Sequence, residues 1–271
     1  MKVIANYIKS IEIDSLWNGQ KHVMWHLKPD VNILSGANGM GKSTILNRVI
    51  MHLLNIDKEE RQADGVKLVY DIEGADCVDF DVIRSFDPPV LSGEIINKVT
   101  DMKLQTALDY HLYHLQRRYL DFQVNLSNKM VELFTTHDPN AQEKAQELAE
   151  QKKHFQDLVD RLFKDTGKTI VRDKNEIFFT SFEEIIPVYK LSSGEKQMLI
   201  ILLSVLVQNK RPHVMFLDEP EVSLHIEWQQ QLVDLIRDLN PNAQIILTTH
   251  SPAVIMKGWG DCSTDVEDIV S

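Results

Sequence analysis

The sequence contains only two cysteines, Cys77 and Cys262, and they do not form a C-x-x-C pair. This scarcity excludes a disulfide scaffold and a cysteine-based zinc site, and it is typical of a reducing compartment. Long hydrophobic runs are also missing, because the longest, at residues 198–207, is about half of a membrane span. The apolar run at the N-terminus is too short for a signal peptide. We therefore expect a cytoplasmic protein without membrane insertion.

Positive charge is in short supply as well. The chain has 29 lysines and arginines against 40 aspartates and glutamates, which gives a net charge of -11. This balance excludes a protein that coats nucleic acid with a generally basic surface, but it is compatible with a local basic groove for nucleic acid. With 271 residues, of which 43% are hydrophobic, the chain is long enough to bury a sizeable core.

The hydrophobic pattern changes twice along the chain. Short strands occupy the first thirty-five residues, and residues 66–72 and 77–83 are predicted to form a hairpin around Glu73-Gly74-Ala75-Asp76. After Asp87-Pro88-Pro89, apolar residues recur at helical spacing on both sides of Asp138-Pro139-Asn140. Buried strands and helices return near the C-terminus. The pattern predicts an α/β fold split by an antiparallel helical hairpin.

A glycine-rich loop lies between a buried strand and a helix. Its eight residues, Gly36-Ala37-Asn38-Gly39-Met40-Gly41-Lys42-Ser43, match G-x-x-x-x-G-K-[ST] in full, and Thr44 continues the helix. The backbone N–H groups of such a loop converge on phosphate oxygens, helped by the helix dipole. We expect Lys42 to neutralise the β- and γ-phosphates and the Ser43 hydroxyl to ligate Mg²⁺. The loop predicts binding of a nucleoside triphosphate.

Two acids, Asp218 and Glu219, follow the buried strand Val214-Met215-Phe216-Leu217. Ligands bind at strand ends of this kind in open α/β sheets. An acidic pair alone is more often a solvated loop, but a phosphate loop in the same chain reverses that balance. We assign Asp218 to Mg²⁺ and Glu219 to the activation of a water for attack on the γ-phosphate.

A second candidate phosphate site opens the apolar helix near residue 195. Its sequence is Leu191-Ser192-Ser193-Gly194-Glu195-Lys196-Gln197, in which Ser192 offers a hydroxyl and Gly194 permits close backbone approach. The alternative is simple N-capping of the helix by Ser192 or Ser193.

A fourth motif, Thr248-Thr249-His250-Ser251-Pro252, follows these three. In their order along the chain, the segments 36–43, 191–197, 218–219 and 248–252 resemble the Walker A, signature, Walker B and H-loop motifs of the ABC-ATPase superfamily. The stretch Asp218-Glu219-Pro220-Glu221-Val222-Ser223-Leu224-His225 is similar to one soluble, non-transporter branch. That branch contains OLD-family ATPases, RecF, SMC-like proteins and the PtuA-type ATPases of anti-phage systems. Transporters usually carry Asp where this chain has His225.

The resemblance implies a homodimer that forms on ATP binding, with heads paired head-to-tail and each ATP held between one Walker A and the other chain's signature. It implies that His250 senses the γ-phosphate and acts with Glu219 and Lys42 in catalysis, while Ser43 and Asp218 hold Mg²⁺. The implied ATP contacts are Gly36, Ala37, Asn38, Gly39, Met40, Gly41, Lys42, Ser43 and Thr44, together with Ser192, Ser193, Gly194 and Glu195 across the interface.

The resemblance also suggests a division of a P-loop, ABC-type ATPase head with a mixed sheet. Residues 1–96 would form the N-terminal lobe with Walker A, 97–165 the hairpin insertion, and 166–271 the C-terminal lobe with the other motifs. The chain departs from the superfamily at the Q-loop, because no glutamine lies between the strand at residues 77–83 and the insertion, and Gln123 lies deep in a predicted helix.

Other polar and aromatic residues receive weaker interpretations. His111 and His114 have the spacing of a metal-ligand pair but no acidic partner at helical spacing upstream. We expect Trp17 and Trp25 in the core rather than stacked on adenine. The acidic residues near the C-terminus are predicted to be solvated; they are Asp261, Asp265, Glu267 and Asp268.

The leading functional hypothesis is an ATPase that serves as motor or sensor of a multi-protein system acting on DNA, in anti-phage defence or DNA repair. Because no nuclease domain is recognisable, a separate effector such as a nuclease is expected. Two alternatives stay open: the ATP-binding subunit of a membrane transporter, and a slowly hydrolysing, nucleotide-gated assembly protein.

Overall fold

The computed structural model describes residues 3–17, 19–55, 61, 63–84, 104, 106–136 and 139–271. The chain divides into two compact units, the first comprising Met1–Ser85 and Lys210–Ser271, and the second Phe86–Asn209. The predicted break at Asp87-Pro88-Pro89 and the predicted start of the hairpin at residue 97 lie outside the described residues. The signature motif belongs to the second unit, together with the hairpin. The division into three lobes stays a prediction.

The strands are β1 (Ile4–Ala5), β2 (Ile8–Leu16), β3 (Lys21–His26), β4 (Val31–Ser35), β5 (Val66–Tyr70), β6 (Cys77–Val78), β7 (Phe80–Arg84), β8 (Lys168–Ile170), β9 (Phe178–Ser181), β10 (Glu184–Pro187), β11 (His213–Asp218), β12 (Ala243–Thr249) and β13 (Ser263–Asp265). The α-helices are α1 (Lys42–Leu54), α2 (Ala107–Thr135), α3 (Ala141–Leu162), α4 (Ser193–Val207), α5 (Ile226–Leu239), α6 (Pro252–Ile255) and α7 (Val266–Ile269). Short 3₁₀ turns lie at Lys164–Thr166, Val188–Lys190 and Gly260–Cys262.

The first unit is built around a five-stranded parallel sheet with the order β13-β4-β12-β11-β7. All residues of β12 are buried, as expected of a central parallel strand whose seven residues are mostly apolar. The register places Asp218 opposite Thr248, and Ser35 opposite Thr249. Since the strands are parallel, the residues that follow β4, β11 and β12 emerge at one edge, and these residues carry the candidate motifs.

A second sheet in this unit is antiparallel, with the order β3-β2-β5. Ile8, Ile11 and Ile13 of β2 are fully buried, and the step of three residues between Ile8 and Ile11 coincides with a register shift in the pairing with β5. Trp25 is 2% exposed, which confirms its predicted place in the core. The expected α/β fold is confirmed, with parallel and antiparallel pairing in separate sheets.

The predicted hairpin between residues 66–72 and 77–83 is wrong. Strand β5 pairs antiparallel with β2, whereas β7 pairs in parallel with β11, and β6 pairs with β1. Both segments contain strands, as predicted, but each pairs with a strand from another part of the chain.

The second unit contains the long helices α2 and α3, which contact each other and are joined by a short turn. Helix α2 begins in a capping box formed by Thr106 and Asp109. Its buried side recurs every three or four residues; the buried apolar residues are Leu108, Leu112, Leu115, Tyr119, Phe122 and Leu126. The predicted antiparallel hairpin is therefore present, although Asp138 of its turn lies outside the described residues.

Helix α4 also belongs to the second unit. It is apolar on all sides, and it is buried from Met198 through Leu206. Strands β8, β9 and β10 form an antiparallel sheet in the same unit. None of the helices in the described part of the chain is both long and apolar enough to cross a membrane.

Candidate nucleotide-binding site

The glycine-rich loop connects β4 to α1 through backbone conformations that favour glycine. Gly36, Gly39 and Gly41 have φ of 148°, 84° and 93°, a region that L side chains rarely adopt. Gly41 is the N-cap of α1. A Cβ at this position would also lie 2.3 Å from Cζ2 of Trp17. The loop therefore needs glycine at residue 41 for its conformation and for the approach of an aromatic ring.

Trp17 itself is 42% exposed, so the prediction that it lies in the core is wrong. Its ring covers the last glycine before Lys42 instead of filling the space between sheet and helix. The alternation of β2 ends at Leu16, and Trp17 has a positive φ of 51°. This change of backbone direction turns the ring away from the core, and no sequence period reveals it.

Lys42 is only 3% exposed, and its ammonium folds back over the loop. Nζ donates hydrogen bonds to the carbonyl oxygens of Gly36 at 2.9 Å and Ala37 at 3.1 Å. It also lies 3.8 Å from Oε1 of Glu219. Phosphate oxygens are stronger partners for an ammonium than carbonyl oxygens, because the acceptor then carries a negative charge of its own. The lysine is thus held where an anion can take over its contacts.

Two hydroxyl groups converge on the carboxylate at the end of β11. Ser43 Oγ donates to Asp218 Oδ1 at 2.8 Å, and Thr248 Oγ1 donates to the same oxygen at 2.6 Å. A hydroxyl next to a carboxylate fits Mg²⁺, which prefers hard oxygen ligands and often takes only one or two from the protein. Thr248 was not predicted as a site residue, because its position opposite Asp218 depends on the pairing of β11 with β12.

Glu219 has an unusual backbone conformation, with a φ of 47°. Its N–H donates to the backbone oxygen of Thr248 at 3.0 Å and to the hydroxyl oxygen at 3.2 Å. A positive φ costs a non-glycine residue about 1–2 kcal/mol, and such strain is concentrated at functional sites. The turn carries Glu219 Oε1 to within 3.5 Å of His250 Nδ1. Lys42, Glu219 and His250, the three predicted catalytic residues, therefore come together.

Glu221 is a carboxylate that the sequence interpretation missed. It is 3% exposed, and its Oε1 accepts hydrogen bonds from the Thr249 hydroxyl and from the His250 backbone N–H at 3.3 Å. His250 Nδ1 lies 3.6 Å from the same oxygen. The sequence shows Glu221 as a third acid shortly after Asp218 and Glu219, but it does not show that this third acid is buried.

The predicted signature motif in the second unit is organised by a capping box. The Ser192 hydroxyl oxygen accepts from the Glu195 N–H, and Glu195 Oε2 accepts from the Ser192 N–H at 2.9 Å. The N-capping alternative for Ser192 is thus realised. Ser192 and Ser193 are exposed, and Gly194 is half-buried, so these three residues are accessible to a ligand.

Glu195 has a different environment from its neighbours. It is 2% exposed, and Oε1 accepts from Lys168 Nζ at 2.9 Å and from Thr166 Oγ1 at 2.7 Å. Burial opposes ionisation, but the hydrogen bonds from Lys168, Thr166 and Ser192 outweigh it and lower the pKa of Glu195. Its carboxylate holds the serine loop in place.

A buried ion pair connects two helices of the same unit. Lys196 Nζ lies 2.8 Å from Asp109 Oδ1, and the other oxygen of Asp109 accepts from the Thr106 N–H at 3.2 Å. The residue after Glu195 is thereby tied to the first turn of α2. Sequence reasoning missed this pair because the two residues are far apart in the chain.

The remaining candidates do not join a site. The His114 ring packs edge-on against Tyr110, with ring centroids 4.4 Å apart, and neither His111 nor His114 is part of a three-ligand cluster within the described residues. The four acids near the C-terminus are exposed, as predicted. Strand β7, after which a Q-loop would follow, ends at Arg84. Gln123 lies in α2 of the second unit, where its side-chain amide donates a hydrogen bond to the Asn175 carbonyl at 2.8 Å.

The P-loop class of ATPase folds is defined by a strand, a glycine-rich loop and a helix, together with acidic residues at the end of another strand of the same parallel sheet. Residues 109–256, more than half of the chain, match the family described as "AAA domain, putative AbiEii toxin, Type IV TA system". The chain belongs to this family of AAA-type ATPases. The match begins after the glycine-rich loop and includes the signature, both acids and His250.

Two curated proteins are similar in sequence. The "Septu protein PtuA" of Bacillus thuringiensis is 25% identical over 92% of this chain and 72% of its own length. The "Retron Vc95 probable ATPase" of Vibrio cholerae serotype O1 biovar El Tor is 24% identical over 40% of this chain, and the match spans only 27% of that protein.

The fold is also that of a solved SMC head. A crystal structure of an SmcHead bound to the C-winged helix domain of ScpA superimposes with a TM-score of 0.53 at 12% identity, covering 93% of this chain and 91% of the other. The resemblance to SMC-like heads that the motifs indicated is confirmed at the level of the fold.

Proposed function

We propose that this chain binds and hydrolyses Mg²⁺-ATP as an ABC-type head, in a site that a second copy completes. The observation that carries the proposal is the convergence on Glu219, where one carboxylate oxygen lies 3.8 Å from Lys42 Nζ and 3.5 Å from His250 Nδ1. A cation for the phosphates, a base for water and a sensing imidazole are then within reach of one another.

Each residue has a distinct task in this proposal. The loop N–H groups and Lys42 bind the β- and γ-phosphates, while Ser43 and Asp218 would hold Mg²⁺, which would supply positive charge to the phosphate oxygens. Glu219 orients a water and accepts its proton as the water oxygen attacks phosphorus in line with the leaving oxygen. The bond between the γ-phosphorus and the bridging oxygen breaks, and the products are inorganic phosphate and ADP. His250 donates a hydrogen bond to the γ-phosphate.

The second half of the site comes from the signature of another copy. Exposure of Ser192 and Ser193 at the N-terminus of α4 supports contact with an anion outside their own unit. We revise the role of Glu195, which was expected to contact ATP. Because its carboxylate is buried and bonded to Lys168, Thr166 and Ser192, it positions the serines rather than touching nucleotide.

The biological setting is proposed from the named relatives. The Septu protein PtuA and a retron ATPase both match this chain, and PtuA-type ATPases belong to the anti-phage systems that the motifs already suggested. We propose that this ATPase is the motor or sensor of an anti-phage system, with a separate effector such as a nuclease. A role in DNA repair is the alternative that the same class of head permits.

Hydrolysis as a function of protein concentration tests the proposal. If two copies form each site, ATP turnover per chain rises with chain concentration and saturates when dimerisation is complete. Lys42→Ala is the control, and it should abolish ATP binding while leaving the circular dichroism spectrum unchanged. Turnover that is independent of concentration would contradict the shared site. No turnover by the wild-type chain at any concentration would overturn the assignment as an ATPase.

A further inference from the structure

The structure contains a buried carboxylate beside the proposed catalytic group. Glu221 Oε1 accepts two hydrogen bonds from successive residues, one from the Thr249 hydroxyl and one from the His250 N–H. Glu221 Oε2 is buried and has no hydrogen-bond partner among the described residues. Both Thr249 and His250 lie where β12 ends and the chain leaves the sheet. The contacts therefore fix the point from which the His250 ring projects.

Such a carboxylate is costly for stability alone. Moving an ionised group out of water costs several kcal/mol unless good partners compensate, and one oxygen here has no such partner. An apolar side chain of similar size in place of Glu221 would avoid this desolvation cost. A carboxyl group buried in this position, with one oxygen bonded to two successive residues, is consistent with a task in holding those residues.

The ring of His250 lies between two carboxylates. Its Nδ1 is 3.5 Å from Glu219 Oε1 and 3.6 Å from Glu221 Oε1. The Nδ1 edge of the ring therefore faces both carboxyl groups, and the opposite edge, with Nε2, is turned away from them. Glu221 thus acts on His250 in two ways, through the backbone N–H and through the ring.

Helix α5 holds Glu221 in turn. Gln229 Nε2 donates to the backbone oxygens of Glu221 at 3.3 Å and Leu224 at 3.0 Å, while its Oε1 accepts from the Ser251 hydroxyl at 2.8 Å. One glutamine thereby ties the segment after Glu219 to the residue after His250. The two loops have little freedom to separate, and the geometry around His250 is preorganised.

We infer that Glu221 is the positioning residue of the γ-phosphate sensor: it orients His250 for hydrolysis and does not itself contact ATP. The inference rests on the proposed function, since it assigns Glu221 to the same site. It predicts that replacing the Glu221 carboxyl group slows turnover without weakening nucleotide binding. The groups that orient a catalytic side chain typically affect activity by about 10- to 100-fold.

The test compares Glu221→Gln with wild type in kcat and in the Kd of a fluorescent ATP analogue. Glutamine keeps the shape and can still accept from the His250 N–H. The expected result is a kcat that is about 10-fold lower or more, with a Kd within about threefold of wild type. Asp64→Asn is the matched control, because Asp64 pairs with His52 in the same unit at 2.9 Å but at the far end of α1. It should leave kcat unchanged.

A second pair of variants keeps the test decisive if Glu221→Gln folds poorly. Thr249→Val removes the hydroxyl donor to Glu221 and should lower kcat, whereas Thr249→Ser keeps the hydroxyl and should restore it. The double variant Glu221→Gln/His250→Ala should be no slower than His250→Ala alone, because Glu221 acts through His250. Multiplied losses, or a kcat in Glu221→Gln equal to wild type, would overturn the inference while leaving the ATPase assignment intact. Absence of wild-type turnover would overturn both.

Discussion

The ring of Trp17 covers Gly41 so closely that a Cβ at Gly41 would lie 2.3 Å from Trp17 Cζ2. The conformation of the glycine-rich loop is thus constrained by a side chain of the β2–β3 turn. Gly41 also has a φ of 93°, so alanine meets two separate obstacles at this position.

Gly41→Ala should lose ATP binding and lower the melting temperature, because the methyl group must displace Trp17 or distort the loop. Trp17→Ala in the same chain should recover part of the stability, since the clash disappears and only the backbone cost of about 1–2 kcal/mol is left. Gly74→Ala is the matched control: it has a φ of 78° with open space around it, outside the loop. Equal destabilisation by Gly41→Ala and Gly74→Ala would show that the ring does not constrain the loop.

Glu219→Gln should bind ATP and fail to cleave it. The amide keeps the size of the side chain, but it cannot accept the proton of the attacking water. General bases contribute about 10²–10⁴-fold to rate, so turnover should fall by that factor. The variant should accumulate as an ATP-bound dimer, which light scattering with and without ATP would detect. Wild-type turnover in this variant would move the role of base to another group.

The contact between Glu195 and Lys168 predicts that the stability of the fold depends on pH. Because the folded state lowers the pKa of Glu195 below its ordinary 4.5, the ionised carboxylate stabilises the fold at neutral pH. This contribution is present above pH 4.5 and is lost as the pH falls through the lower, folded-state pKa.

Glu195→Gln should therefore cost about 2–3 kcal/mol of unfolding free energy near pH 7, and the difference from wild type should shrink at lower pH. Urea unfolding from pH 7 to pH 3 measures both quantities. Asp14→Asn is the control, since Asp14 pairs with Lys67 at 2.9 Å on the exposed surface. A difference between Glu195→Gln and wild type that does not change with pH would contradict this account.

The Asp109–Lys196 pair should couple the hairpin helix α2 to the signature helix α4. Asp109→Asn and Lys196→Met should each destabilise the chain, and the double variant should be less destabilised than the sum of the two. A coupling of about 0.5–3 kcal/mol is expected for residues in direct contact. A double-mutant cycle on unfolding free energies measures it, and strict additivity would show that the pair carries no coupling.

The sequence was most informative where local chemistry decides the structure. The glycine-rich loop with its flanking strand and helix follows from one motif, and the proximity of Ser43 to Asp218 follows from two motifs that are expected to share one ligand. The helical pair of the second unit follows from apolar spacing, since three- and four-residue steps define one side of a helix.

The missed features depend on which strands become neighbours. Alternation marked β5 and β7 as strands, but a period of two does not name the partner, and the predicted hairpin was wrong. Thr248 and Glu221 reach the site only through the register of β12 with β11 and the turn after it. Trp17 leaves the core because the backbone turns directly after β2 ends at Leu16.

The central claim is that each ATP site takes its P-loop from one chain and its signature from another. Mixing two inactive variants, Lys42→Ala and Ser192→Arg, tests it most directly, because the mixed dimer contains one site with both residues intact. Lys42→Ala mixed with Glu219→Gln is the matched control: these residues lie 3.8 Å apart in one chain, so no intact site can form. The account predicts rescue in the first mixture, up to about half of the wild-type activity per mixed dimer if the sites are independent, and none in the second. Absence of rescue in the first mixture, with both variants folded and able to dimerise, would contradict the shared site.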